Sequence, residues 1–321
     1  MVCREFGPPS SLKLEILPSR PLEMGEARLA VKAAGVNFAD SLMVAGTYQV
    51  KPPMPVIPGL EAAGIITEVS QGVTGLKPGD RVLSLTAWGA YADELVWSAD
   101  RFLKIPDAMD FVSAAAFSLT FGTAHMALAR RARLKAGETL VVMGAGGGVG
   151  SAAVAVGKAL GARVIAVAGG VARGDVARAA GADEVIDHQT QDVRAAVRAL
   201  TGDTGAHVIF DPVGGDAFKT ALKVAAWEGR IVVVGFASGH VPQIPANHLL
   251  VKNVDVVGFF WGAYKTHDLV ALKESLSVLF RWWEAGRVKP HIDRTYPLDQ
   301  AGIALQCLLD RQAAGKIVLI P

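Results

Sequence analysis

The stretch that decides the fold reads Thr139-Leu140-Val141-Val142-Met143-Gly144-Ala145-Gly146-Gly147-Gly148-Val149-Gly150-Ser151-Ala152-Ala153-Val154-Ala155-Val156-Gly157-Lys158-Ala159-Leu160. An apolar run of strand length passes through a glycine turn into a helix-length, alanine-rich segment. Glycine lets the backbone turn sharply and approach a pyrophosphate, and the following helix offers that anion free N–H groups and the positive end of its dipole. A glycine-rich turn alone is a weak sign, because such matches occur by chance. Here it sits between a strand and a helix, and a further strand follows on schedule. The context points to a dinucleotide site built on Gly144, Gly147, Gly148, Val149 and Gly150.

Downstream, apolar runs of strand length alternate with helix-length segments, which predicts strands at 139–144, 163–168, 184–187, 206–211, 230–236 and 255–260, with helices between the first five. Those five strands are mostly Val, Ile, Ala and Leu without polar alternation, as expected when both faces of a parallel sheet are covered. Upstream, to about residue 117, Pro and Gly punctuate short β-branched runs such as Ala30-Val31-Lys32, Gly64-Ile65-Ile66-Thr67-Glu68-Val69 and Asp80-Arg81-Val82-Leu83. Short strands joined by turns are predicted there, followed by a helical stretch over 110–129. Helices around 269–285 and 298–311 and a strand at 316–320 complete the pattern. The expected fold class is α/β, a Rossmann domain beside a β-rich domain.

With 321 residues the chain can bury two cores. Its 51% hydrophobic and 19% charged content is that of a folded globular protein. A net charge of +2, from scattered basic and acidic residues, provides no positive field for a phosphate backbone, so nucleic acid is excluded as the main partner. Cys3 and Cys307 offer no disulfide framework and suit a reducing compartment. The start carries no apolar signal core, and no apolar stretch reaches membrane-spanning length. A soluble, cytoplasmic protein is expected.

Several further motifs accompany the glycine turn: Gly35-Val36-Asn37-Phe38-Ala39-Asp40, Gly46-Thr47-Tyr48, Pro58-Gly59-Leu60-Glu61-Ala62-Ala63-Gly64, Lys77-Pro78-Gly79-Asp80-Arg81-Val82, Gly122-Thr123-Ala124 and Gly315-Lys316-Ile317-Val318-Leu319. With them the chain resembles, over essentially its whole length, the medium-chain dehydrogenase/reductase superfamily, and within it the zinc-free quinone oxidoreductase, or zeta-crystallin-like, branch. The resemblance implies a GroES-like catalytic domain over 1–118 and 261–321, a Rossmann NADPH-binding domain over 119–260, and a substrate cleft between them. It also implies a homodimer. The run Val254-Asp255-Val256-Val257-Gly258-Phe259-Phe260 would be the last strand of the sheet, and an apolar edge strand is best explained by pairing with a second copy. Relatives usually begin with a few more residues that complete the first strand.

Alcohol dehydrogenases of the superfamily place a zinc-binding cysteine where this chain has Asn37 and a zinc-binding histidine where it has Leu60. Leucine cannot ligate, and Glu61 alone cannot hold a metal that needs about three protein ligands. His125, His188, His207, His240, His248, His267 and His291 are widely spaced and are expected at the surface or as caps. Without a Lewis acid, acceptors that spread incoming charge themselves are favoured. Quinones do so by becoming aromatic, and activated alkenes (enals, enones, acryloyl thioesters) by forming an enolate.

The resemblance places Tyr48 in the substrate cleft, where its hydroxyl would donate to a carbonyl oxygen; the alternative is a packing tyrosine. Another tyrosine common in relatives falls at Leu42, which rules out a two-tyrosine clamp. Asn37 and Asp40 occupy the stretch that faces the nicotinamide, with turn capping as the alternative. Thr123 matches a position at the nicotinamide carboxamide, or else caps a helix start. Gly235 and Phe236 end a strand on the cofactor side, and Phe259, Phe260 and Trp261 would wall the nicotinamide or pack between domains.

No carboxylate follows the second strand of the pattern until Asp175, so its Val167-Ala168-Gly169-Gly170-Val171-Ala172-Arg173 end leaves room for a 2′-phosphate. Arg173 lines up with a basic residue that grips this phosphate in relatives, and a guanidinium suits it. His188 and Arg311 would complete the pocket, with a loop-capping histidine and a solvated helix-end arginine as their alternatives. Gly170, where relatives often carry Ser or Thr, removes one donor. The expectation is an NADPH:quinone oxidoreductase, with an activated-alkene reductase as the rival and a crystallin-like NADPH-binding protein of low turnover as the reading from another class.

Overall fold

The computed structural model describes residues Met1–Pro321, and its strands follow the apolar runs of the sequence. In chain order they are β1 (Glu26–Val36), β2 (Ala62–Val69), β3 (Arg81–Ser84), β4 (Glu94–Ser98), β5 (Phe102–Lys104), β6 (Thr139–Met143), β7 (Arg163–Ala168), β8 (Glu184–Asp187), β9 (Ala206–Asp211), β10 (Ala225–Val233), β11 (Asp255–Gly258), β12 (Ile292–Pro297) and β13 (Lys316–Ile320). They divide between two units, Met1–Leu119 with Ile292–Pro321, and Thr120–His291.

In the second unit six strands lie in the order β11-β10-β9-β6-β7-β8, every neighbouring pair parallel. The chain starts at β6, winds outward to β8, then returns to the other side of β6 at β9. That reversal is the topological switch point where doubly wound sheets bind ligands, at the carboxyl ends of the strands. Helices Gly148–Ala159, Val171–Ala179, Val193–Thr201 and Gly215–Val224 make the crossovers. All residues of β6 are buried, which is why its sequence lacks polar alternation. Val141, Ile165, Ile209, Phe218 and Ile231 anchor one core of this unit, and burial of each stabilises the fold by ~1.5–3 kcal/mol.

The observed strand ends differ from the pattern where the backbone breaks it. β6 stops at Met143 because Gly144 turns to a φ of 62°. β10 starts at Ala225, which pairs with Ala206 before an irregularity at Glu228, whose φ is 55°. β11 stops at Gly258, and Phe260 then caps the helix Trp261–His267. The stretch 110–129 is not one helix. It divides into Phe111–Ala115, which Asp110 caps by accepting from the Ser113 amide, then Ser118–His125 and a π-helical turn Met126–Arg131.

The first unit is a seven-stranded sheet in the order β12-β13-β1-β2-β3-β5, with β4 also paired to β1. Strand β1 is its centre, antiparallel to β2, β4 and β13. Gly64 of β2 must be glycine, since a Cβ there would lie 2.0 Å from the Ala30 carbonyl oxygen. Leu29, Val31, Ile66, Tyr91, Ile317 and Leu319 share the core.

The chain re-enters this unit at Ile292, not at the expected 261. Helices Trp261–His267 and Leu269–Glu284 belong with the second unit because their side chains pack there. Trp261 lies on Gly122, Ser275 Oγ is 2.7 Å from His125 Nδ1, and Arg130 donates to Asp268 at 3.0 Å.

Candidate functional site

In the second unit the glycine turn has the geometry its sequence predicts. A Cβ on Gly150 would sit 2.1 Å from the Gly144 carbonyl oxygen, and one on Gly146 would sit 2.3 Å from Arg173 Cβ. Gly147 caps the helix Gly148–Ala159 with φ −92° and ψ 173° and without a side-chain hydrogen bond. The first turn of this helix, with Gly148, Val149 and Gly150, therefore presents backbone amides rather than a capping side chain, as an anion site requires.

Two of the expected ribose residues pack onto glycines of this unit. Arg173 rests on Gly146, and the His188 ring rests on Gly169, where a Cβ would be 2.7 Å from Nε2. Gly170 takes a φ of 77° at the cap of Val171–Ala179 and donates its amide to Asp187 Oδ1 at 3.1 Å. Asp187 Oδ1 also accepts from the Gln189 amide at 2.9 Å, and the Gln189 and Gly170 amides hold its carboxyl below the usual range. That carboxylate, on the strand beside β7, was not singled out in the sequence; its place at the end of an apolar run was the available signal. Arg311, at φ 55° after the helix Ala301–Leu309, falls in the first unit, whereas Arg173 and His188 fall in the second.

Thr123 is buried inside the helix Ser118–His125, so it does not cap a helix start. Gly235 and Phe236 follow β10 in a loop held to the end of β9, where the Ala237 amide donates to the Pro212 carbonyl at 3.0 Å. Phe259 is buried and lies 5.9 Å from the Tyr264 ring centroid, Phe260 is partly exposed, and Trp261 is buried. His125 is not a surface residue, and although it precedes the turn Met126–Arg131 its side chain makes no capping bond. It meets the Trp282 ring edge-on at 5.3 Å, and burial pushes its pKa down to about 4.

In the first unit a buried polar cluster surrounds the N-terminus of helix Phe38–Val44. Asn37 caps that helix and Asp40 completes the capping box, accepting from the Asn37 amide at 2.8 Å. Asn37 Nδ2 donates to Glu61 Oε1 at 3.0 Å and to the Gly35 carbonyl at 3.3 Å, while its Oδ1 accepts from Lys316 Nζ at 2.5 Å. Both amide hydrogens of Asn37 are thus committed within the protein, and the residue positions this loop instead of offering a donor outward. Glu61 also accepts from Lys316 Nζ at 2.6 Å, and from Ser118 Oγ and the Leu119 amide, each at 2.8 Å. Lys316 and Glu61 are both almost fully buried.

Asp40 Oδ2 accepts from Tyr91 Oη at 2.8 Å, and burial raises its carboxyl pKa to about 6. Tyr48 is half-buried on the loop that follows the helix, its phenol pKa raised by burial and by the Asp40 charge. The Glu61–Lys316 pair was missed as a pair. Each lay in a quoted motif, and the signal was a lysine opening an otherwise apolar strand.

Two family models match: an alcohol dehydrogenase GroES-like domain over residues 23–107 and a zinc-binding dehydrogenase over residues 148–275. The zinc in the second description does not fit these residues. No three or more His, Cys, Asp or Glu side chains come together to hold a metal ion. A quinone oxidoreductase-like protein 2 homolog from Nematostella vectensis is 39% identical over 99% of this chain and 88% of its own. The quinone oxidoreductase-like protein 2 of Rattus norvegicus is 35% identical over 99% and 91%. Among solved structures, Escherichia coli quinone oxidoreductase complexed with NADPH superposes with a TM-score of 0.91 at 32% identity, covering 100% of this chain and 99% of that one. A mycobacterial protein complexed with NADPH gives 0.92 at 31% identity, with coverage of 100% and 99%. Two units of this topology, the glycine turn at the switch point and these full-length likenesses agree: the chain belongs to the quinone oxidoreductase family of the medium-chain dehydrogenase/reductase superfamily.

Proposed function

We propose that this protein is an NADPH:quinone oxidoreductase that works without zinc. The observation that carries the reading is the glycine turn, with an uncapped helix start on one side and Arg173 packed onto its Gly146 on the other, while His188 packs onto Gly169 beyond β7. NADPH, when bound, supplies the hydride. The protein's part is to hold the pyrophosphate on the amides of Gly148–Gly150 and the 2′-phosphate on Arg173 and His188. Thr123, Gly235, Phe236, Phe259, Phe260 and Trp261 bound the nicotinamide. The nearby Asp187 carboxylate is engaged by the Gly170 and Gln189 amides, and a guanidinium at Arg173 suits a phosphate because several donors can meet its oxygens together.

On the acceptor side Tyr48 donates to the quinone oxygen, and Asn37 and Asp40 keep that loop in shape. A quinone suits such a site because hydride addition makes the ring aromatic, and hydrogen-bond donors alone suffice to stabilise the oxygen. No helix is long and apolar enough to cross a membrane, and both cysteines are free and buried. A cytoplasmic homodimer joined along β11, the edge of the six-stranded sheet, completes the proposal.

Following NADPH oxidation against a quinone panel and an activated-alkene panel, before and after exhaustive chelation, tests the reading. The expected result is quinone-dependent oxidation that survives chelation. Preference for enals or enones would move the acceptor class, turnover with neither would leave a cofactor-binding protein, and zinc-restored activity would overturn zinc independence. Arg173→Glu is expected to raise the Michaelis constant for NADPH ~10- to 100-fold while leaving NADH use nearly unchanged.

A further inference from the structure

The amino ends of β9 and β10 border a half-open cavity of about 270 Å³, at the opposite end of the strands from the glycine turn. The six residues of β9, roughly 17 Å of extended chain, lie between the two. Cations line this cavity from three helices: Arg198 of Val193–Thr201, Lys223 of Gly215–Val224 and Lys252 of Ala246–Lys252. Each stands in the last turn of its helix, where a positive charge offsets the helix dipole. At the end of Gly215–Val224 that role belongs to Lys252, whose ammonium donates to the Lys223 carbonyl at 3.0 Å and to the Ala225 carbonyl at 2.9 Å. The Lys223 ammonium itself makes no hydrogen bond or ion pair, and neither does the hydroxyl of Thr204 on the same wall.

Arg198 has one acidic neighbour, Asp203, which is 3.9 Å away with a side chain 84% exposed, so water screens the pairing. Burial and the charges of Arg198 and Arg194 push the Lys252 ammonium pKa down, which shows that the cations feel one another. Positive charge is in excess here. At the rim the Trp227 ring is 63% exposed. Three of the five non-glycine residues with a left-handed backbone belong to this wall or adjoin it: Asp203, Glu228 and Asn253. Such conformations persist only where their surroundings hold them, so the wall keeps a fixed shape.

We propose that this cavity binds a phosphate monoester carried on a planar ring, at a place separate from the cofactor site. Lys223, Arg198 and the Thr204 hydroxyl donate to the phosphate oxygens, and the Trp227 face receives the ring. A dianion relieves the repulsion among the cations and accepts several donors at once. A neutral ring would leave the charges uncompensated, and a simple ion would leave Trp227 in water.

Phenyl phosphate, titrated calorimetrically into the whole protein, tests the proposal. The expected result is saturable binding with a dissociation constant at or below about 1 mM, the yield of a few charge-assisted bonds, and weaker binding of inorganic phosphate. Lys223→Ala removes an exposed, unpaired side chain and should weaken phenyl phosphate about tenfold with the melting temperature unchanged. Trp227→Ala should bring phenyl phosphate down to the level of inorganic phosphate. Arg173→Glu, which alters the proposed cofactor pocket, should leave the binding in place. Binding lost in Arg173→Glu and untouched in Lys223→Ala would overturn the proposal, because the anion would then belong to the glycine turn. Absence of saturable binding to the wild type, or equal affinity for the two phosphates, would also overturn it. No turnover is measured, so a protein that reduces no quinone leaves this test intact.

Discussion

The two units treat buried polarity in opposite ways. At the glycine turn of the second unit, the helix Gly148–Ala159 starts on a glycine, so no capping side chain takes its first amides. Around Asn37 in the first unit, Glu61, Lys316, Ser118 and Asn37 satisfy one another within 3.0 Å. One arrangement keeps hydrogen-bonding capacity for a ligand, and the other spends it on fixing a loop. A substitution in the first should therefore be felt mainly as stability, and one in the second as stability only where a glycine is sterically required.

Lys316→Met breaks the comparison most severely, because it leaves the Glu61 carboxylate buried and without its ion-pair partner. We expect a loss of ~3–5 kcal/mol in urea unfolding. The double variant with Glu61→Gln should recover much of it, since the amide oxygen can still accept while no lone charge remains buried. A loss below ~1 kcal/mol for the single variant would show that the pair is looser than the geometry indicates.

Asp40 gives the next largest effect, and its sign is opposite to that of an ordinary ion-paired carboxylate. Burial lifts its pKa from 3.8 to about 6 against the opposing pulls of the Tyr91 hydroxyl, the Asn37 amide and Lys316 and with a smaller push from Glu61. The folded protein then binds this proton more tightly than the unfolded chain does. The stability it contributes is fully present below the unfolded pKa of 3.8 and is lost as the pH rises to about 6, in total ~3 kcal/mol. Asp40→Asn removes the titration, so its stability relative to wild type should improve steadily across that window. Urea midpoints measured at half-unit steps test this, and a constant gap would show that Asp40 does not titrate there.

Within the glycine turn the contrast is steric. Gly150→Ala would push a methyl to 2.1 Å from a backbone oxygen, which only a backbone shift can relieve, whereas a Cβ on Gly147 meets nothing closer than 3.6 Å. Thermal unfolding should show ~1–3 kcal/mol lost for Gly150→Ala and under ~1 kcal/mol for Gly147→Ala. Equal losses would mean that the turn relaxes freely.

The same division explains what the sequence revealed. The strands β6, β7 and β9 were legible because both faces of a parallel sheet are covered, so each carries a central apolar run without polar alternation, whereas β8, Glu184–Asp187, buries only Ile186. Gly144 and Gly150 announced the turn because only glycine tolerates the φ and the close approach found there. By contrast, Glu61 and Lys316 lie 255 residues apart, and nothing local to either predicts the partner. The placement of the helices Trp261–His267 and Leu269–Glu284 was misjudged for the same reason. It is decided by long-range packing of Trp261 on Gly122 and of Ser275 on His125, which periodicity does not encode.

Tyr48 gives the smallest expected effect and asks whether the first unit meets the acceptor at all. It sits on a turn tied to the preceding helix by bonds from the Thr47 and Tyr48 amides to the Leu42 carbonyl, at 2.9 and 3.1 Å. Burial and then the Asp40 charge raise its phenol pKa, so across any ordinary working range the hydroxyl stays protonated and serves as a donor, never as a phenolate. Tyr48→Phe removes that one neutral donor and keeps the ring. If the hydroxyl bonds the acceptor oxygen more strongly as charge develops there, kcat should fall ~2- to 10-fold, the worth of a single neutral hydrogen bond. The Michaelis constant for NADPH should hold steady. Because the hydroxyl does not ionise, the ratio of variant to wild-type turnover should also stay flat from pH 6 to about pH 9. A ratio that climbs toward one at alkaline pH would mean that Tyr48 ionises in use, and unchanged turnover across both acceptor panels would reduce it to a packing ring on the committed side of the molecule.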